Sequence, residues 1–393
     1  IALLLILLSS GCTVESVATE PMDPIPDLTS YPWVYLRDKR ALSAAEEVVS
    51  IIAVGDILLG RGVANETDPL RHTAGWLQDA GLALGNLEGV LVDGGTPRRA
   101  PVGEPQPLIL KAAPASADLL AEAGFDILSL ANNHSLDYGQ DGLRETVRHL
   151  NDVDLGVIGI KNEGGTVAPL LQEFNGLRLA FLAFNAVTDP QTHASCATLE
   201  GCSSGVVPWD PATSPQAITA ARALADALIV SIHWGFEYHP LPDPSQEAVA
   251  RAMLDAGADL IVGHHPHFPQ RLTVHGDQLV AYSLGNFLFD QDQDGTDRGL
   301  ALRAFFDGQG LRAVQALPLR AGLQPHLLPT AGAQQWLSQY LPAENRLGYA
   351  CSQDGCVPAD APPATTSSTF FSGQIDLTGD GQPETIRRQG QQI

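Results

Sequence analysis

Two short apolar runs that end in histidines constrain the fold of this chain more than any other feature. The first run, residues 227–232, ends at His233, and the second, residues 260–262, leads into a Gly-His-His-Pro-His sequence that begins at Gly263. Both runs are rich in β-branched residues, which predicts buried strands. The segment 231–270 contains five histidines, so both predicted strands carry imidazole groups at their ends.

The segment between the two runs has the signals of a helix. Asp243 and Pro244 fit the N-cap and the first helical residue, Gln246 completes a capping box, and Gly257 is typical of a helix stop. The pattern therefore predicts a strand–helix–strand unit. Ligands of such units collect beyond the carboxyl ends of parallel strands. Because both histidine clusters lie at those ends, we predict a metal site there.

Other short apolar runs also end in side chains that bind metals. In chain order these side chains are Asp56, then Asn86 with Glu88, and then the segment Asn132-Asn133-His134. For any one of them, a capped turn or a hydrogen-bonded core group is the simpler interpretation. Their succession at consecutive strand ends favours a single shared site. Carboxylate and imidazole ligands suit one or two divalent ions of zinc, manganese or iron.

The alternation of short buried strands and capped helices predicts one α/β domain over residues 48–342. Its fold class is a layered α-β-β-α sandwich, in which helices cover two sheets. Residues 298–306 and 311–319 alternate in the manner of a closing hairpin. Residues 13–47 contain scattered prolines and acids with little periodicity, which predicts a stalk.

The chain beyond residue 342 differs in composition. Residues 343–372 are rich in Pro, Ala, Ser and Thr, which predicts a linker. Residues 373–393 resemble a truncated calcium loop of the dockerin and integrin type, since a hard cation prefers oxygen ligands at such spacing. The candidate calcium ligands are Asp376, Thr378, Asp380 and Glu384. Arg387 stands where an EF-hand has its bidentate glutamate, so a polar turn remains the alternative.

The first twelve residues predict an export signal. They form an apolar run that is far shorter than the roughly 20 residues of a membrane-spanning helix. The segment Ser9-Ser10-Gly11-Cys12 resembles a bacterial lipobox, in which Cys12 is lipidated. We expect an extracytoplasmic lipoprotein anchored to the membrane, and a plain secretory signal is the alternative.

Four further cysteines form two close pairs, Cys196 with Cys202 and Cys351 with Cys356. Each pair is predicted to close a small disulfide loop, which agrees with an extracytoplasmic location. The spacings lack the two-residue gap of zinc ribbons, so a cysteine metal site is the weaker interpretation.

The charge of the chain argues against one class of partner. With 22 basic and 45 acidic residues, the formal net charge is −23. A chain this acidic repels nucleic acid and anionic lipid. We therefore expect no nucleic-acid partner, and contact with a membrane only through the lipid anchor.

The motifs at the strand ends also resemble a known family when they are taken together. They are Gly55-Asp56, Asn86-Leu87-Glu88, Ala131-Asn132-Asn133-His134 with Asp137 and Gly139, His233-Trp234-Gly235 with Glu237-Tyr238, Gly263-His264-His265-Pro266-His267, and Tyr282-Ser283-Leu284-Gly285-Asn286-Phe287. This set resembles the CapA family of bacterial capsule synthesis proteins linked to poly-γ-glutamate, which belongs with the calcineurin-like metallophosphoesterases.

The resemblance implies a role for each of these residues. The implied metal ligands are Asp56, Glu88, Asn133, His233, His265 and His267. The implied catalytic residues are His134, which protonates a leaving oxygen, and Asp137. Further candidates for metal or substrate contact are Asn86, His264, Glu237 and Asn286, and the choice between His264 and His265 stays open.

Two departures from the phosphoesterase pattern bear on this assignment. The relatives open with Asp-x-His, whereas this chain has Asp56-Ile57-Leu58, and the pair Asn86 and Glu88 stands in place of a bridging aspartate. We therefore expect one metal position to be weakened or lost.

Two functions are compatible with these features. The first is a surface-anchored, metal-dependent hydrolase that acts on an envelope polymer in capsule or poly-γ-glutamate biosynthesis. The alternative is a non-catalytic metal-binding factor for the binding or export of an anionic capsule polymer. In both cases the expected partners are that polymer and its synthesis or export machinery.

Overall fold

The computed structural model describes residues 26–43, 45–98, 108–161, 165–174, 176–187 and 205–340, with positions 103 and 106. Beyond residue 348 it describes the backbone of four short strands. Within these ranges no helix has both the length and the apolar character needed to cross a membrane.

The helices and strands are numbered here in chain order. The helices are α1 (Ala74–Gln78), α2 (Ser116–Glu122), α3 (Gly139–Asn151), α4 (Ser214–Arg222), α5 (Pro244–Asp255) and α6 (Thr330–Leu337). The strands are β1 (Trp33–Leu36), β2 (Val49–Ile57), β3 (Leu82–Leu87), β4 (Val90–Leu91), β5 (Lys111–Ala112), β6 (Ile127–Ser129), β7 (Gly156–Ile158), β8 (Leu170–Phe174), β9 (Leu177–Asn185), β10 (Ala227–His233), β11 (Leu260–His264), β12 (Leu272–His275), β13 (Gln278–Ala281), β14 (Asn286–Leu288), β15 (Arg298–Asp307), β16 (Gly310–Arg320), β17 (His326–Leu327), β18 (Tyr349–Ser352), β19 (Gly355–Pro358), β20 (Gln374–Ile375) and β21 (Glu384–Thr385).

Two large sheets form the centre of the domain. The first has the strand order β1-β16-β15-β2-β3-β6-β7, with β14 paired to β2 and β17 to β16. The second has the order β12-β13-β11-β10-β9-β8. The inner strands β2, β3, β6 and β7 are parallel, as are β9, β10, β11 and β13. Strands β15 and β16 form the predicted antiparallel hairpin.

Three apolar clusters separate the layers. The cluster between the sheets includes Ile51 and Leu84 from the first sheet and Phe181 and Ile229 from the second. A second cluster packs α1, α2 and α3 on the outer face of the first sheet, and a third packs α4 and α5 on the outer face of the second. Burial of each large apolar side chain contributes about 1.5–3 kcal/mol. The predicted α/β fold class is confirmed, with helices on the outer faces of two packed sheets.

The strand–helix–strand unit is built as its sequence predicts. The Asp243 side chain accepts hydrogen bonds from the backbone N–H groups of Ser245 and Gln246, and the Gln246 side chain accepts one from the Asp243 N–H. Gly257 follows the helix with a φ of 105°. Strands β10 and β11 are parallel and in register, so His233 lies beside His264.

The predicted stalk over residues 13–47 is wrong for residues 28–36, because this segment packs on the first sheet. Strand β1 pairs antiparallel with β16, and the side chains of Tyr31, Val34 and Tyr35 are buried. The buried guanidinium of Arg312 holds the following turn, since it donates to both carboxylate oxygens of Glu46 and to two backbone carbonyls.

Several predictions fall on residues outside the described ranges. Cys12, Cys196, Cys202 and the segment 376–380 with Asp376, Thr378 and Asp380 lie there, and their roles stay predictions. Strands β18 and β19 pair antiparallel with Cys351 opposite Cys356. Glu384 belongs to β21, which pairs with β20.

The ion pair between Glu46 and Arg312 gives a test of this N-terminal packing. Glu46→Ala leaves the buried guanidinium without its carboxylate, so we expect the free energy of unfolding in urea to fall by about 1.5–3 kcal/mol. The hydrogen bond from Arg312 lowers the pKa of Glu46 below its ordinary 4.5. The difference should therefore be full above pH 4.5 and shrink as the pH falls further.

The matched control is Glu47→Ala, because Glu47 is exposed. It should change the unfolding free energy by less than about 0.5 kcal/mol. Equal losses for the two variants would contradict this account of the N-terminal segment.

Candidate metal centre

The predicted site residues meet where the strand ends of the two sheets face each other. The first sheet places Asp56 near the end of β2 and Glu88 just after β3. The second sheet places His233 and His264 at the ends of β10 and β11. These four side chains are all buried. The site therefore depends on the packing of one sheet against the other.

Two sets of three ligand atoms lie together in this region. One set comes from Glu88, His233 and His265, and the other from Asp56, Glu88 and His267. Within each set all atoms lie within 4.8 Å of one another. Glu88 belongs to both sets, because its Oε1 atom lies 4.0 Å from the Nε2 atom of His233 and 3.8 Å from that of His267.

Unpartnered buried atoms show that these residues fit a divalent cation. Among the described residues, neither carboxylate oxygen of Glu88 and neither ring nitrogen of His264 has a hydrogen-bond partner, and the same holds for Nδ1 of His265. Leaving such groups unsatisfied costs about 1–3 kcal/mol each, and more when they are charged. A bound cation would satisfy carboxylate and imidazole atoms together, and this donor set suits zinc, manganese or iron.

The structure places His264 and His265 differently. His265 contributes to a ligand set, and its ring centroid lies 4.7 Å from that of His233. His264 lies against Asp56 instead, with its Nδ1 atom 3.2 Å from Oδ1 of the carboxylate but without hydrogen-bond geometry. The geometry thus groups His265, and not His264, with the other ligand atoms.

Three asparagines surround the ligand sets. The Oδ1 atom of Asn133 lies 2.8 Å from Nε2 of His233, within hydrogen-bond distance, so it is next to a ligand atom of the first set. Asn86 donates to Asp56 at 2.9 Å, and its Oδ1 atom accepts from Asn132 at 3.1 Å. The side-chain oxygen of Asn86 is therefore already used, and Asn86 holds Asp56 in place.

Asn132, which the sequence predicts only as part of the polar segment 132–134, belongs to the site through its hydrogen bonds. It is buried, donates to the Leu87 carbonyl at 2.8 Å and accepts from the His134 N–H at 3.1 Å. It links the ends of β3 and β6. Its position beside two polar residues at a strand end was the available signal.

His134 and Asp137 form a pair on the far side of Glu88. The Nδ1 atom of His134 lies 2.9 Å from Oδ2 of Asp137, which also accepts the Leu110 N–H at 2.6 Å. The opposite ring atom, Nε2, lies 3.9 Å from Oε1 of Glu88. His134 therefore points at the ligand sets without belonging to either of them.

The turn after β11 is strained in a way that serves this geometry. His265 and His267 have φ values of 95° and 58°, in the left-handed region that costs non-glycine residues about 1–3 kcal/mol. A Cβ at Gly263 would lie 2.0 Å from the Tyr282 carbonyl oxygen, so only glycine fits there. The strained turn directs both rings toward Glu88.

Residues 50–291, more than half of the chain, match the family of bacterial capsule synthesis proteins designated PGA_cap. The chain belongs to this family. The resemblance to CapA proteins that the motifs predicted is thereby confirmed.

Individual relatives agree with this assignment. The chain is 35% identical to the capsule biosynthesis protein CapA of Bacillus anthracis over 70% of its own length and 67% of the relative. It is 32% identical to the PGA biosynthesis protein CapA of Bacillus subtilis (strain 168) over 63% of its length and 65% of the relative. The chain thus spans about two thirds of these curated relatives. Among solved structures, it is similar to a 5'-nucleotidase from Candida albicans, with a TM-score of 0.40 and 13% identity over 79% of this chain and 57% of that one.

The two carboxylates of this capsule-family centre have opposite pKa shifts. Burial raises the pKa of Glu88 to about 8, because the nearby His267 only partly offsets the loss of water. Burial would also raise the pKa of Asp56, but close contacts with His264 and His267 outweigh it and hold that pKa well below its ordinary value. Asp56 is therefore a stable anion, whereas Glu88 needs a cation to stay ionised.

The pKa values of the histidines in the site are also shifted in opposite directions. Burial holds the pKa of His233 well below its ordinary value and lowers that of His265 to about 3, so both rings are neutral, as metal ligands must be. Burial opposes a charge on His267 as well, but Glu88 and Asp56 raise its pKa to about 9. For His134, the hydrogen bond to Asp137 outweighs burial and raises the pKa.

The rim of the centre is formed by the loop after β10. Phe236 and Glu237 are exposed on this loop, and Tyr238 is partly buried against the ring of His267, with centroids 5.9 Å apart. The charge of Glu237 raises the pKa of Glu88 and of His267. Asn286 lies deeper and contacts Nδ1 of His267 at 2.8 Å.

Metal content tests the shared position of Glu88. Because Glu88 belongs to both ligand sets, Glu88→Gln should remove most bound metal from both, as measured by elemental analysis of the purified protein. Loss of a ligand or its close partner typically costs at least 10-fold to about 100-fold in metal affinity.

The matched control is Glu237→Gln, which removes an exposed carboxylate on the rim and should keep the metal content of the wild type. If Glu88→Gln retained full metal content, the assignment of Glu88 to the two sets would be wrong.

Proposed function

We propose that this chain is a metal-dependent hydrolase of capsule or poly-γ-glutamate biosynthesis that acts on an envelope polymer. Family membership and the names of the two CapA relatives support the biosynthetic role. The position of His134 carries the hydrolase assignment, because this histidine faces the ligand sets and is held from behind by Asp137. A site that only bound metal would not need such a group.

The ligands of the proposed centre are Asp56, Glu88, Asn133, His233, His265 and His267. A pair of divalent cations there would polarise the scissile group and supply a nucleophile at neutral pH. The two sets share Glu88, so the two cations would lie close together. The sheets exclude water from this pocket, since every one of these side chains except Asn133 is buried.

His134 supplies a proton in this proposal. Asp137 accepts the hydrogen bond from Nδ1, which fixes the ring and leaves Nε2 directed toward Glu88. The hydrogen bond to Asp137 outweighs burial and raises the pKa of His134 above its ordinary value, which favours the protonated ring. Nε2 can therefore donate a proton to the oxygen that leaves the substrate, while Asp137 stabilises the charged imidazole.

One observation favours the non-catalytic alternative. Leu58 occupies the position of the histidine in Asp-x-His, and it is buried in an apolar cluster with Leu110 and Phe289. A chain that retained the fold and lost part of the ligand set could bind or export an anionic polymer without cleaving it.

The proposed location is extracytoplasmic, with a membrane anchor at a lipidated Cys12 and secretion as the alternative. The proposed partners are an anionic envelope or capsule polymer and the machinery that makes or exports it. The formal charge of −23 repels a polyanion just as it repels nucleic acid. A cation at the centre would supply the attraction for a polyanion that the surface lacks.

Two histidine variants separate chemistry from metal binding. His134→Ala should keep folding and metal content and reduce turnover of phosphoester, ester or amide probes by a factor of about 10² to 10⁴, the usual contribution of a general acid. His233→Ala should lower both metal content and turnover, because it removes a ligand.

The matched control for both is His149→Ala, on α3 away from the centre, which should leave turnover and metal content unchanged. Equal metal loss in the His134 and His233 variants would make His134 a ligand. Absence of turnover of every probe by the metal-loaded wild type would favour the polymer-binding alternative.

A further inference from the structure

Tyr238 is held in a conformation that tyrosine rarely adopts. Its φ of 61° lies in the left-handed region, and its N–H donates to the Pro266 carbonyl at 2.8 Å. This hydrogen bond ties the rim loop to the strained histidine turn. Left-handed conformations cost non-glycine residues about 1–3 kcal/mol and cluster at active sites and ligand clamps.

A chain of hydrogen bonds connects the Tyr238 hydroxyl to His267. Nδ1 of His267 lies 2.8 Å from Oδ1 of Asn286, Nδ2 of Asn286 donates to Oε1 of Gln291 at 2.8 Å, and Nε2 of Gln291 donates to the Tyr238 hydroxyl at 3.3 Å. The ring of Tyr238 also packs on the ring of His267, so the chain closes on itself.

The direction of this chain is fixed by a backbone carbonyl. Nδ2 of Asn286 also donates to the Thr296 carbonyl at 3.2 Å, and a carbonyl oxygen can only accept. The amide of Asn286 must therefore present its NH₂ group to Gln291. The Gln291 side-chain oxygen accepts this hydrogen bond, so the NH₂ group of Gln291 is directed toward Tyr238. The Tyr238 oxygen accepts this bond, so the phenol proton is not used by Gln291.

The phenol proton has no acceptor among the described residues. Burial is the largest cause that raises the pKa of Tyr238 to about 12, with the charges of Glu237 and Glu88 acting in the same direction and that of Arg61 opposing them. The ring of Tyr238 lies against His267, which belongs to one of the two ligand sets. Asp290 holds Arg61 in place, because its carboxylate accepts hydrogen bonds from the Nε atom of Arg61 and from the backbone N–H of Gly62.

We propose that Tyr238 binds the substrate, and that its hydroxyl donates a hydrogen bond to an anionic oxygen of the group held at the metal centre. Gln291 is the positioning residue that keeps the phenol proton directed away from the protein and toward that oxygen. This inference rests on the proposed function, because it takes the metal centre as the place where the substrate is bound.

Binding of inorganic phosphate to the metal-loaded full chain, measured by calorimetry, tests the inference without turnover. Tyr238→Phe removes one oxygen and keeps the ring against His267. It should leave metal content unchanged and raise the dissociation constant for phosphate by about 10-fold or more, the effect of losing a hydrogen bond to a charged group. Tyr31→Phe, which removes a hydroxyl far from the centre, is the control and should bind phosphate as the wild type does.

Gln291→Leu tests the positioning role. Leucine adds no charge, and it removes the amide that donates to the Tyr238 oxygen, so the phenol proton is no longer kept in one direction. We expect phosphate binding to weaken, and we expect the double variant to be no weaker than Tyr238→Phe alone, since both changes act on the same bond. A merely structural Gln291 would give additive losses.

The outcomes separate this inference from the proposed function. If Tyr238→Phe bound phosphate as tightly as the wild type, or if the wild type bound none, the inference would be wrong whatever the turnover. If phosphate binding responded as expected and no probe were hydrolysed, only the hydrolase assignment would fail.

Discussion

The arrangement of the site depends on one buried carboxylate that the protein alone does not compensate. Both oxygens of Glu88 lack hydrogen-bond partners among the described residues, and the nearest imidazole nitrogens lie 3.8–4.0 Å away. An ion removed from water costs several kcal/mol even after the protein relaxes. That cost explains the raised pKa of Glu88, and a divalent cation beside it reverses the balance, because Coulomb attraction is strong in a dry pocket. Metal binding and the stability of the closed pocket are therefore linked.

The two sheets keep this carboxylate in a fixed frame. Asp56 belongs to the first sheet and Glu88 directly follows one of its strands, whereas His233 belongs to the second sheet, so the ligand sets form only when the apolar cluster between the sheets is closed. Asn86, Asn132 and Asn133 then connect neighbouring strand ends through side-chain hydrogen bonds. Close packing of this kind resists small displacements. The strained backbone conformation of His265 persists because the strands on either side fix the path of the turn.

Local sequence signals predicted most of the helices and strands around the site and the types of residue in it. Asp243, Gln246 and Gly257 marked a helix because capping depends on neighbours in sequence, and strand ends were visible because each buried run stops at a polar group. The strand Trp33–Leu36 was missed, since it is four residues long, follows Pro32 and pairs with β16 far along the chain. The chain of hydrogen bonds from His267 to Tyr238 was also invisible, because Tyr238 and Gln291 are 53 residues apart and neither residue type signals such a bond.

The leucine in place of the phosphoesterase histidine has a structural context. Leu58 packs with Leu110 and Phe289, and Phe289 in turn lies against His267, with ring centroids 5.2 Å apart. Leu58 stands where the phosphoesterases have a histidine ligand, and through Phe289 it supports the ligand His267. Each ligand set still contains three atoms without it. The departure at Leu58 therefore leaves both of these ligand sets in place.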